Sequence, residues 1–308
     1  MTKIDGGRSP YSRYLYEFQR ETRRPARLPP PGACDCQIHV YADASVFPFH
    51  PGRFYDPPPD TTFEHARAMH RVLGFQRGVI VHTSVNGTDN RLLLDCLATD
   101  NRNYRGVALV DDSFSDAALD ALHAAGVRGA RFQFKRSWGN GANTTGTVHQ
   151  ADDFERIVDR IARLGWVVKL RTSGPELIEH EALFRRLTSV RVVIDHMGHL
   201  DMRLGVEQPA CQLILDLLSR PNWWMQLSNG PKHSDPPYDD AVAVARSFIA
   251  AAPDRTVWAS DWPHVGYHKP VPNTADLFEL LYRYAPDEGT LHKILVENPA
   301  RLYGFDDR

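Results

Sequence analysis

The chain has 308 residues, of which 42% are hydrophobic, and a formal net charge of −2 at pH 7. A chain of this length and composition can bury a large core, which excludes a disordered protein. The nearly balanced charge gives no general attraction for nucleic acid or for a membrane surface, so we expect neither partner. Any attraction for a charged ligand must be local.

The first 32 residues form a segment of a different character, which ends in Pro29-Pro30-Pro31-Gly32. It has charges throughout and lacks the apolar core of about 7 to 15 residues that marks a signal peptide. No apolar run in the chain approaches the length of a membrane span. We therefore expect a soluble cytoplasmic protein. Residues 1–32 are predicted to be an N-terminal arm that packs on its own domain, packs on a neighbouring copy in a homo-oligomer, or frays as a tail.

The four cysteines are too few for a disulfide framework in a chain of this size. Cys34 and Cys36 are separated by one residue, whereas the usual paired metal ligands are separated by two. Free cysteine is commonly buried as a small apolar side chain. We therefore expect buried thiols and no metal at these positions.

From residue 33 to residue 308 the chain alternates between two kinds of segment. Strand-like apolar segments lie at residues 35–40, 77–83, 106–110, 127–134, 166–171, 190–196, 223–227 and 256–260. Segments with helical spacing lie at 62–73, 90–99, 116–125, 152–164, 175–187, 208–218, 238–252, 274–284 and 289–303. This alternation predicts an α/β fold, a (β/α)8 TIM barrel of eight parallel strands. No Gly-x-Gly-x-x-Gly motif follows the first strand, which disfavours a dinucleotide-binding sheet.

Polar side chains collect where the predicted strands end, which is where TIM barrels carry their active sites. In chain order they are Gln37, His39, His82, Ser84, Asn86, Arg131, Gln133, Arg136, Lys169, Arg171, Asp195, His196, His199, Ser228, Asn229, Lys232, Asp261 and His264. A single histidine is more often a hydrogen-bonded structural residue than a catalytic one. So many charged groups together are hard to explain structurally, because buried charge is costly unless it is paired. We expect one active site at this end of the barrel.

Several motifs resemble those of the amidohydrolase superfamily. They are Asp35-Cys36-Gln37-Ile38-His39, Val193-Ile194-Asp195-His196-Met197-Gly198, Ser260-Asp261-Trp262-Pro263-His264 and the closing Glu297-Asn298-Pro299-Ala300-Arg301-Leu302-Tyr303. Within this superfamily, the chain also resembles the branch of 2-pyrone-4,6-dicarboxylate lactonase. That resemblance includes the segments Asn86-Gly87-Thr88-Asp89-Asn90 and Gly126-Val127-Arg128-Gly129-Ala130-Arg131-Phe132. The likeness runs from about residue 32 to the end.

The chain departs from the metal-dependent members of that superfamily. They begin strand one with His-x-His, where this chain has Gln37-Ile38-His39, and they carry further ligands on strands four and five that are missing here. Only His39, His196 and Asp261 remain, and a nearby arginine would repel a divalent cation. We therefore expect no metal and no cofactor, with a divalent metal at these three residues as the alternative. The resemblance agrees, since the pyrone lactonase branch works without metal.

Without a metal, the chemistry must rest on side chains. Asp261 is predicted to be the general base that activates water. His39 and His196 are predicted to polarise a lactone carbonyl and to stabilise the oxyanion that develops on it. Gln37 would add a neutral hydrogen bond to the same group.

The predicted substrate-binding residues suggest an acidic substrate. Arg131, Arg136 and Arg171 can hold a carboxylate or a sulfonate in a bidentate fork, although such arginines also form surface ion pairs. The resemblance implies that Arg131 and Arg136 bind a substrate carboxylate, whereas His199 and Lys232 stand where the family carries arginine. Ser84, Asn86 and His264 complete the predicted set, together with Gln37.

The sequence thus predicts a hydrolase that opens an anionic lactone, such as a muconolactone, its sulfonated analogue or a pyrone-type intermediate of aromatic degradation. Pyrone dicarboxylate itself is disfavoured because the anion pocket is partly rebuilt. Three alternatives stay open. They are a lactone isomerase acting on a sugar-acid lactone, since galactarolactone isomerase has a similar Gln-x-His start, a metal-dependent decarboxylase, and a non-enzymatic binding protein.

Overall fold

The structure is a computed structural model that describes residues 18–51, 53, 55–134, 151–267 and 269–305. Eight parallel strands follow one another in chain order around one sheet. They are β1 (Cys34–Ile38), β2 (Arg77–Val81), β3 (Tyr104–Ala108), β4 (Val127–Gln133), β5 (Val167–Arg171), β6 (Arg191–Ile194), β7 (Trp223–Leu227) and β8 (Thr256–Trp258). The predicted (β/α)8 barrel is confirmed.

Helices connect and cover the strands. They are α1 (Phe63–Leu73), α2 (Arg91–Thr99), α3 (Asp116–Ala124), α4 (Ala151–Ala162), α5 (Gly174–Glu179), α6 (Glu181–Arg185), α7 (Pro209–Leu218), α8 (Asp239–Ala251), α9 (Thr274–Tyr284), α10 (Glu288–His292) and α11 (Asn298–Tyr303). Among the described residues, no helix is both long enough and apolar enough to cross a membrane.

The seam between the last strand and the first is closed just beyond β8. The Asp261 amide donates to the Gln37 carbonyl at 3.0 Å, and the His39 amide donates to the Trp262 carbonyl at 2.8 Å. The buried Asp35 carboxylate also accepts from the Ser260 amide at 2.9 Å. These bonds fix the backbone of residue 261 against the backbone of residues 37 and 39, whose side chains belong to the site described below.

The barrel interior changes from apolar to polar along each strand. Its apolar end includes Val167, Val193, Trp224 and Val257. Alternate residues of a strand face the same side. Residues two and four positions after each of these apolar residues therefore also point inward. On β5 these are Lys169 and Arg171, and both are buried. The strands therefore carry polar side chains to the carboxyl end of the barrel, where the site is expected.

Strand β1 carries an irregularity that affects the site. Its pairing with β2 shifts register between Asp35 and Ile38. Cys36 packs in the interior apolar cluster, and the next side chain, Gln37, also reaches interior groups. A bulge lets consecutive residues face one side, so both point into the barrel. All four cysteines are buried and free, as expected.

Two predicted helices are interrupted. The segment 175–187 forms α5 and α6 with a break at His180, whose φ and ψ of −102° and 14° leave the helical region. The segment 289–303 forms α10 and α11 around a π-helical turn at Lys293–Glu297. Pro299 in the first turn of α11 has no amide hydrogen to donate back along the helix, which favours this wider turn.

The described part of the N-terminal arm, residues 18–32, lies on its own barrel. The Phe18 ring packs edge-on against Trp262, with 5.6 Å between the ring centroids. Arg23 forms ion pairs with Asp276 and Glu279 of α9. The described part of the arm, residues 18–32, thus packs on its own domain. Residues 1–17 lie outside the described residues, and association with another copy stays a prediction.

Candidate active site

A narrow cleft lies at the carboxyl end of the barrel. Its lining residues are His39, Tyr55, Thr83, Ser84, Arg131, Gln133, Arg171, His196, His199, Asn229, Lys232, Asp261 and Val265. They come from the ends of the strands and from the loops that follow, as expected for this fold. Most of them are buried polar or charged groups, so the cleft is built to hold a polar ligand.

The turn after β6 presents two histidines of the site, His196 and His199. The φ values in this turn are positive, at 55° for His196, 49° for Met197, 67° for Gly198 and 46° for His199. They lie in the left-handed region, which residues other than glycine rarely adopt. A Cβ atom at Gly198 would lie 2.7 Å from Cδ1 of Ile214. Asn229 and Asp261 also have φ values of 58°. Such strained backbone is characteristic of functional sites, where surrounding packing holds it in place.

Asp261 lies at the centre of the hydrogen-bond network. Its Oδ1 accepts from Gln37 Nε2 at 2.7 Å and lies 3.1 Å from His39 Nε2, and its Oδ2 accepts from Asn229 Nδ2 at 2.8 Å. Burial alone would raise the pKa of Asp261, but the hydrogen bond with His39 and the charge of Lys232 help to hold it well below its usual value. The carboxylate is therefore ionised. Among the described residues Oδ2 accepts one hydrogen bond, which leaves a lone pair for a further donor such as water.

The surroundings of His39 determine where its protons lie. Its Nδ1 is 2.8 Å from the Val81 carbonyl oxygen, which can only accept, so Nδ1 carries a proton. The contact between Nε2 and the ionised Asp261 requires a second proton on the ring. Nε2 of His39 thus faces both the Asp261 carboxylate at 3.1 Å and the Gln37 amide nitrogen at 3.3 Å.

His196 is held in the opposite state. Its Nε2 lies 3.2 Å from Gln37 Nε2 and 3.3 Å from Arg131 Nη2, and both of these groups are donors. Its Nδ1 lies 3.0 Å from Asn229 Nδ2, which is also a donor, and 2.8 Å from Ser228 Oγ, which can accept the remaining proton. Burial lowers the pKa of His196 to about 3. The ring is therefore neutral, with its proton on Nδ1 and its Nε2 acting as an acceptor.

Gln37 occupies the point where a metal ion would have to lie. Its Nε2 is 2.7 Å from Asp261 Oδ1, 3.2 Å from His196 Nε2 and 3.3 Å from His39 Nε2. An amide nitrogen donates hydrogen bonds and cannot serve as a ligand in this orientation. Within the described ranges, no group of three or more His, Cys, Asp or Glu side chains is arranged to hold a metal. The residues present therefore do not fit a metal centre.

The cleft has a strongly cationic wall. Arg131, Arg171 and Lys232 are all in its lining. Burial and the neighbouring Arg131 lower the pKa of Arg171 to about 10, and burial lowers the pKa of Lys232 to about 8. Arg131 is also paired with the buried Asp195 carboxylate, but three cations side by side create a local positive potential that attracts anions. This wall is therefore suited to an anionic ligand.

The predicted site residues divide into three groups. The cleft is lined by the predicted catalytic residues and by Ser84, Arg131, Arg171, His199 and Lys232. Gln37 lies beneath the cleft, within the network of Asp261.

Two other predicted residues do not line the cleft. Asn86 donates to the Phe47 and Pro48 carbonyl groups and so holds the loop after β1. His264 lies close to the Thr274 hydroxyl at 2.9 Å. Arg136 lies outside the described residues.

Five lining residues were not in the predicted site. Gln133 and Asn229 were recognised as polar strand-end residues, but their positions alone did not assign them a role in the site. Thr83 adjoins a predicted site residue, and its buried Oγ1 has no hydrogen-bond partner among the described residues. Tyr55 and Val265 come from loops without periodic patterning, so no sequence signal marked them. Tyr55 shares a 2.7 Å hydroxyl contact with Tyr41, which follows β1.

Fold and site together define a (β/α)8-barrel enzyme with an aspartate and two histidines around one cleft. The chain belongs to the amidohydrolase family, whose model, described as Amidohydrolase, matches residues 34–305. The superfamily predicted from the motifs is therefore confirmed.

Similar proteins cover nearly the whole chain. It is 36% identical over 279 residues to a 4-sulfomuconolactone hydrolase from Rhizobium radiobacter, covering 89% of this chain and 91% of that protein. It is 35% identical over 285 residues to a 2-pyrone-4,6-dicarboxylate hydrolase from Comamonas testosteroni, covering 89% and 90%. An apo crystal structure from Agrobacterium tumefaciens superposes with a TM-score of 0.77 at 29% identity, covering 91% of this chain and 98% of that one. The predicted branch is confirmed by these relatives.

Proposed function

We propose that this protein is a hydrolase that opens a lactone carrying a carboxylate or sulfonate group. The observation that carries the proposal is the juxtaposition, in one cleft, of an ionised aspartate with three cationic side chains, the buried Arg131 and Arg171 and the half-buried Lys232. The aspartate can activate water, and the cations can hold an acidic substrate beside it. The two relatives described above are named as hydrolases of a sulfonated lactone and of a pyrone dicarboxylate, which supports this substrate class.

The reaction would begin with water bound to Oδ2 of Asp261. Asp261 accepts a proton from this water as its oxygen bonds to the lactone carbonyl carbon. The resulting tetrahedral oxyanion is stabilised by nearby positive charge. The bond from the carbonyl carbon to the ring oxygen then breaks. The ring oxygen leaves as an alcohol or enol and takes up the proton that Asp261 accepted, which restores the base. The new carboxylic acid group loses its proton to solvent and becomes a carboxylate.

The proton positions suggest which groups stabilise the oxyanion. We infer that His39 is doubly protonated. Because its Nδ1 faces the Val81 carbonyl group and its Nε2 faces Asp261, it would stabilise the oxyanion by its positive charge. His196 uses its Nε2 as an acceptor toward Arg131 and Gln37, so direct donation to the substrate would require its proton to move to Nε2. In the present arrangement its role is to orient Arg131, whose Nη2 points toward it.

We further propose that this reaction proceeds without a metal or another cofactor. Gln37 places an amide donor where the three candidate ligands converge, and cationic side chains surround that point. The imidazolium of His39 and the guanidinium of Arg131 supply the positive charge that a divalent ion supplies in other barrels. No step of the proposed reaction requires a metal-bound water.

The test is turnover of a small panel of lactones in heavy-oxygen water. The panel contains a sulfonated muconolactone, a carboxylated muconolactone, a pyrone dicarboxylate and a sugar-acid lactone, with a neutral lactone of similar size as the control. We expect hydrolysis of an anionic member, with one heavy oxygen in the newly formed carboxylate and much slower turnover of the neutral lactone. An isomerised lactone without label would instead identify a lactone isomerase. No turnover of any anionic lactone would reject the proposal.

A further inference from the structure

Lys169 is an unusual residue for the interior of a barrel. It lies in the middle of β5 and has no exposed surface. It does not line the cleft, so it does not meet a ligand there. Burying an ammonium group is costly unless the charge is paired and its hydrogen bonds are satisfied. The proposed reaction leaves this residue without a role, and its contacts suggest one.

One contact neutralises its charge. Lys169 Nζ lies 3.0 Å from Asp195 Oδ1, and the other oxygen of Asp195 accepts from Arg131 Nε at 3.2 Å. Burial alone would raise the pKa of Asp195, but Lys169 and Arg131 hold it below its usual value. Lys169 and Arg131 thus share one buried carboxylate, and this sharing helps to fix Arg131 beside the cleft.

The other contact begins a chain of hydrogen bonds that ends at Asp261. Lys169 Nζ donates to Gln226 Oε1. Gln226 Nε2 donates to Gln37 Oε1 at 3.2 Å, and Gln37 Nε2 donates to Asp261 Oδ1 at 2.7 Å. All four side chains are buried. An ammonium group thus connects to a carboxylate through two amides arranged head to tail.

The two ends of the chain determine its direction. A side-chain amide can turn by 180° and so exchange its donor and its acceptor. Lys169 can only donate, and the ionised Asp261 can only accept. Both amides must therefore present oxygen toward Lys169 and nitrogen toward Asp261, because reversing either would place two donors or two acceptors together.

A side branch reaches His196. Gln226 Nε2 also lies 3.1 Å from Ser228 Oγ, which in turn is 2.8 Å from His196 Nδ1. The second hydrogen of Gln37 Nε2 points to His196 Nε2. The same chain thus places the Gln37 donor beside Nε2 of His196, the nitrogen that also lies near Arg131.

We propose that Lys169 and Gln226 are positioning residues that orient the Gln37 amide, so that its nitrogen faces Asp261 and His196. This inference rests on the proposed function in assigning Asp261 as the base. Neither positioning residue touches the substrate. Their effect is to hold the base ionised and correctly turned, with Oδ1 engaged by Gln37 and one lone pair of Oδ2 available to water.

The main test is Gln226→Met, which keeps similar volume but removes both the acceptor and the donor. The ion pair between Lys169 and Asp195 remains in this variant. We expect kcat on the lactone to fall by roughly tenfold or more, the lower bound for loss of one hydrogen bond to a charged group. KM should change by less than about threefold. The acid limb of the kcat/KM profile should move to higher pH by about one pH unit, because Asp261 loses a fixed donor.

The matched control is Thr256→Val, an isosteric change at another fully buried strand residue. It removes the hydrogen bond from Thr256 Oγ1 to the Ala252 carbonyl group, which lies outside the network of Asp261. We expect this variant to lose stability without any change in kcat or in the acid limb. An equal shift in both variants would show that Gln226 acts only by supporting the fold, and would overturn the proposal.

A second readout does not depend on turnover. In protein with ¹³C-labelled aspartate, the Asp261 carboxyl resonance can be identified by its absence in Asp261→Asn and followed during a pH titration. We expect the Asp261 carboxyl to titrate at higher pH in Gln226→Met than in wild type. If wild-type protein opens no lactone, the proposed function fails, while this titration still decides the role of the chain. An unchanged Asp261 titration would overturn the inference.

A charge-balanced variant covers the case in which Gln226→Met fails to fold. In Lys169→Met combined with Asp195→Asn, the buried cation and its main anion are removed together. The donor that sets the direction of the chain is then gone, while Gln226 and Gln37 remain. We expect the Asp261 carboxyl to titrate at higher pH in this variant as well. A wild-type titration would show that Lys169 does not set the direction.

Discussion

Arg131 and Arg171 both face the cleft, but their guanidinium groups are held differently. Arg131 donates through Nε to Asp195 and through Nη2 to His196, whereas Arg171 donates to Gln133 Oε1. Arg131 is thus partly committed to the catalytic network, and Arg171 lines the same cleft, where it can contribute to clamping a substrate anion.

Replacing Arg171 with alanine should therefore weaken use of anionic lactones selectively. A hydrogen bond to a charged group is worth roughly 1.5–3 kcal/mol, so kcat/KM on a charged lactone should fall about 10- to 150-fold. Turnover of a neutral lactone should change little. Arg171→Lys should recover only part of the loss, because lysine lacks the planar fork. The control is Arg91→Ala at an exposed arginine paired with Asp89. Equal losses on charged and neutral lactones would rule out the clamp.

Lys232 should make substrate binding depend on pH. Burial lowers its pKa to about 8, so it is a cation below that pH and neutral above it. An anionic substrate therefore gains its attraction below pH 8 and loses it as the pH rises. We expect KM for an anionic lactone to increase between about pH 7 and pH 9, while KM for a neutral lactone stays flat. Lys232→Met should raise KM at low pH and abolish the dependence. A KM that falls with rising pH would contradict this assignment.

At the scale of elements, the left-handed turn after β6 makes a strong prediction. Gly198→Ala places a Cβ atom 2.7 Å from Ile214 Cδ1 at a φ of 67°, so it adds a clash to the backbone strain. Gly205 has a similar φ of 65° and no atom within 4 Å of a Cβ, so Gly205→Ala measures the strain alone. We expect Gly205→Ala to lower the free energy of unfolding by about 1 kcal/mol and Gly198→Ala by clearly more. Chemical denaturation of both variants checks this.

Comparing Gly198→Ala with Gly205→Ala also tests whether the turn matters for activity. The turn carries His196 and His199, so Gly198→Ala should also lower kcat, whereas Gly205→Ala should leave it unchanged. Equal stability and equal activity in the two variants would show that the turn tolerates a side chain and does not fix the histidines.

How far the sequence could predict these elements depends on the kind of signal. The alternation of apolar segments with helical segments identified all eight strands. Strands that are covered on both sides are continuously apolar, so each one stands out as an apolar segment. This alternation could not show that strand β6 ends at Ile194, since the left-handed run from His196 to His199 is fixed by packing against Ile214 and other distant residues. The irregularity of β1 was equally invisible, because it depends on pairing with β2. The π-helical turn before Pro299 also interrupts a pattern that reads as one helix.

The candidate site was predictable at the level of strand ends and less so in its detail. Fold rules place His39, His196 and Asp261 near one another, and the family motifs draw attention to them. The proton positions follow from contacts with Val81, Ser228 and Arg131, which no spacing in the sequence reveals. Lys169 looked like one more strand-end cation, whereas its burial and its two partners make it a candidate positioning residue. Tyr55 enters from a long loop whose path only the tertiary structure gives.

At the scale of the whole molecule, activity should not depend on a metal. The barrel directs Gln37 into the point where ligands would converge, and it surrounds that point with cations. We expect a chelator to leave kcat unchanged and the purified protein to hold well under one transition metal ion per chain. Elemental analysis before and after chelation checks this. Stoichiometric zinc whose removal abolishes turnover would contradict the proposed mechanism.

The central claim is that Asp261 is the base of an anionic-lactone hydrolase, and Asp261→Asn tests it most directly. Asparagine is nearly isosteric but cannot accept the proton of water, and a general base contributes roughly 10²- to 10⁴-fold to rate. The measurement is kcat on the anionic lactone that wild type opens, with folding verified by thermal unfolding. We predict a fall in kcat of that size in a folded variant. A folded Asp261→Asn that keeps more than about half of the wild-type kcat would contradict the assignment.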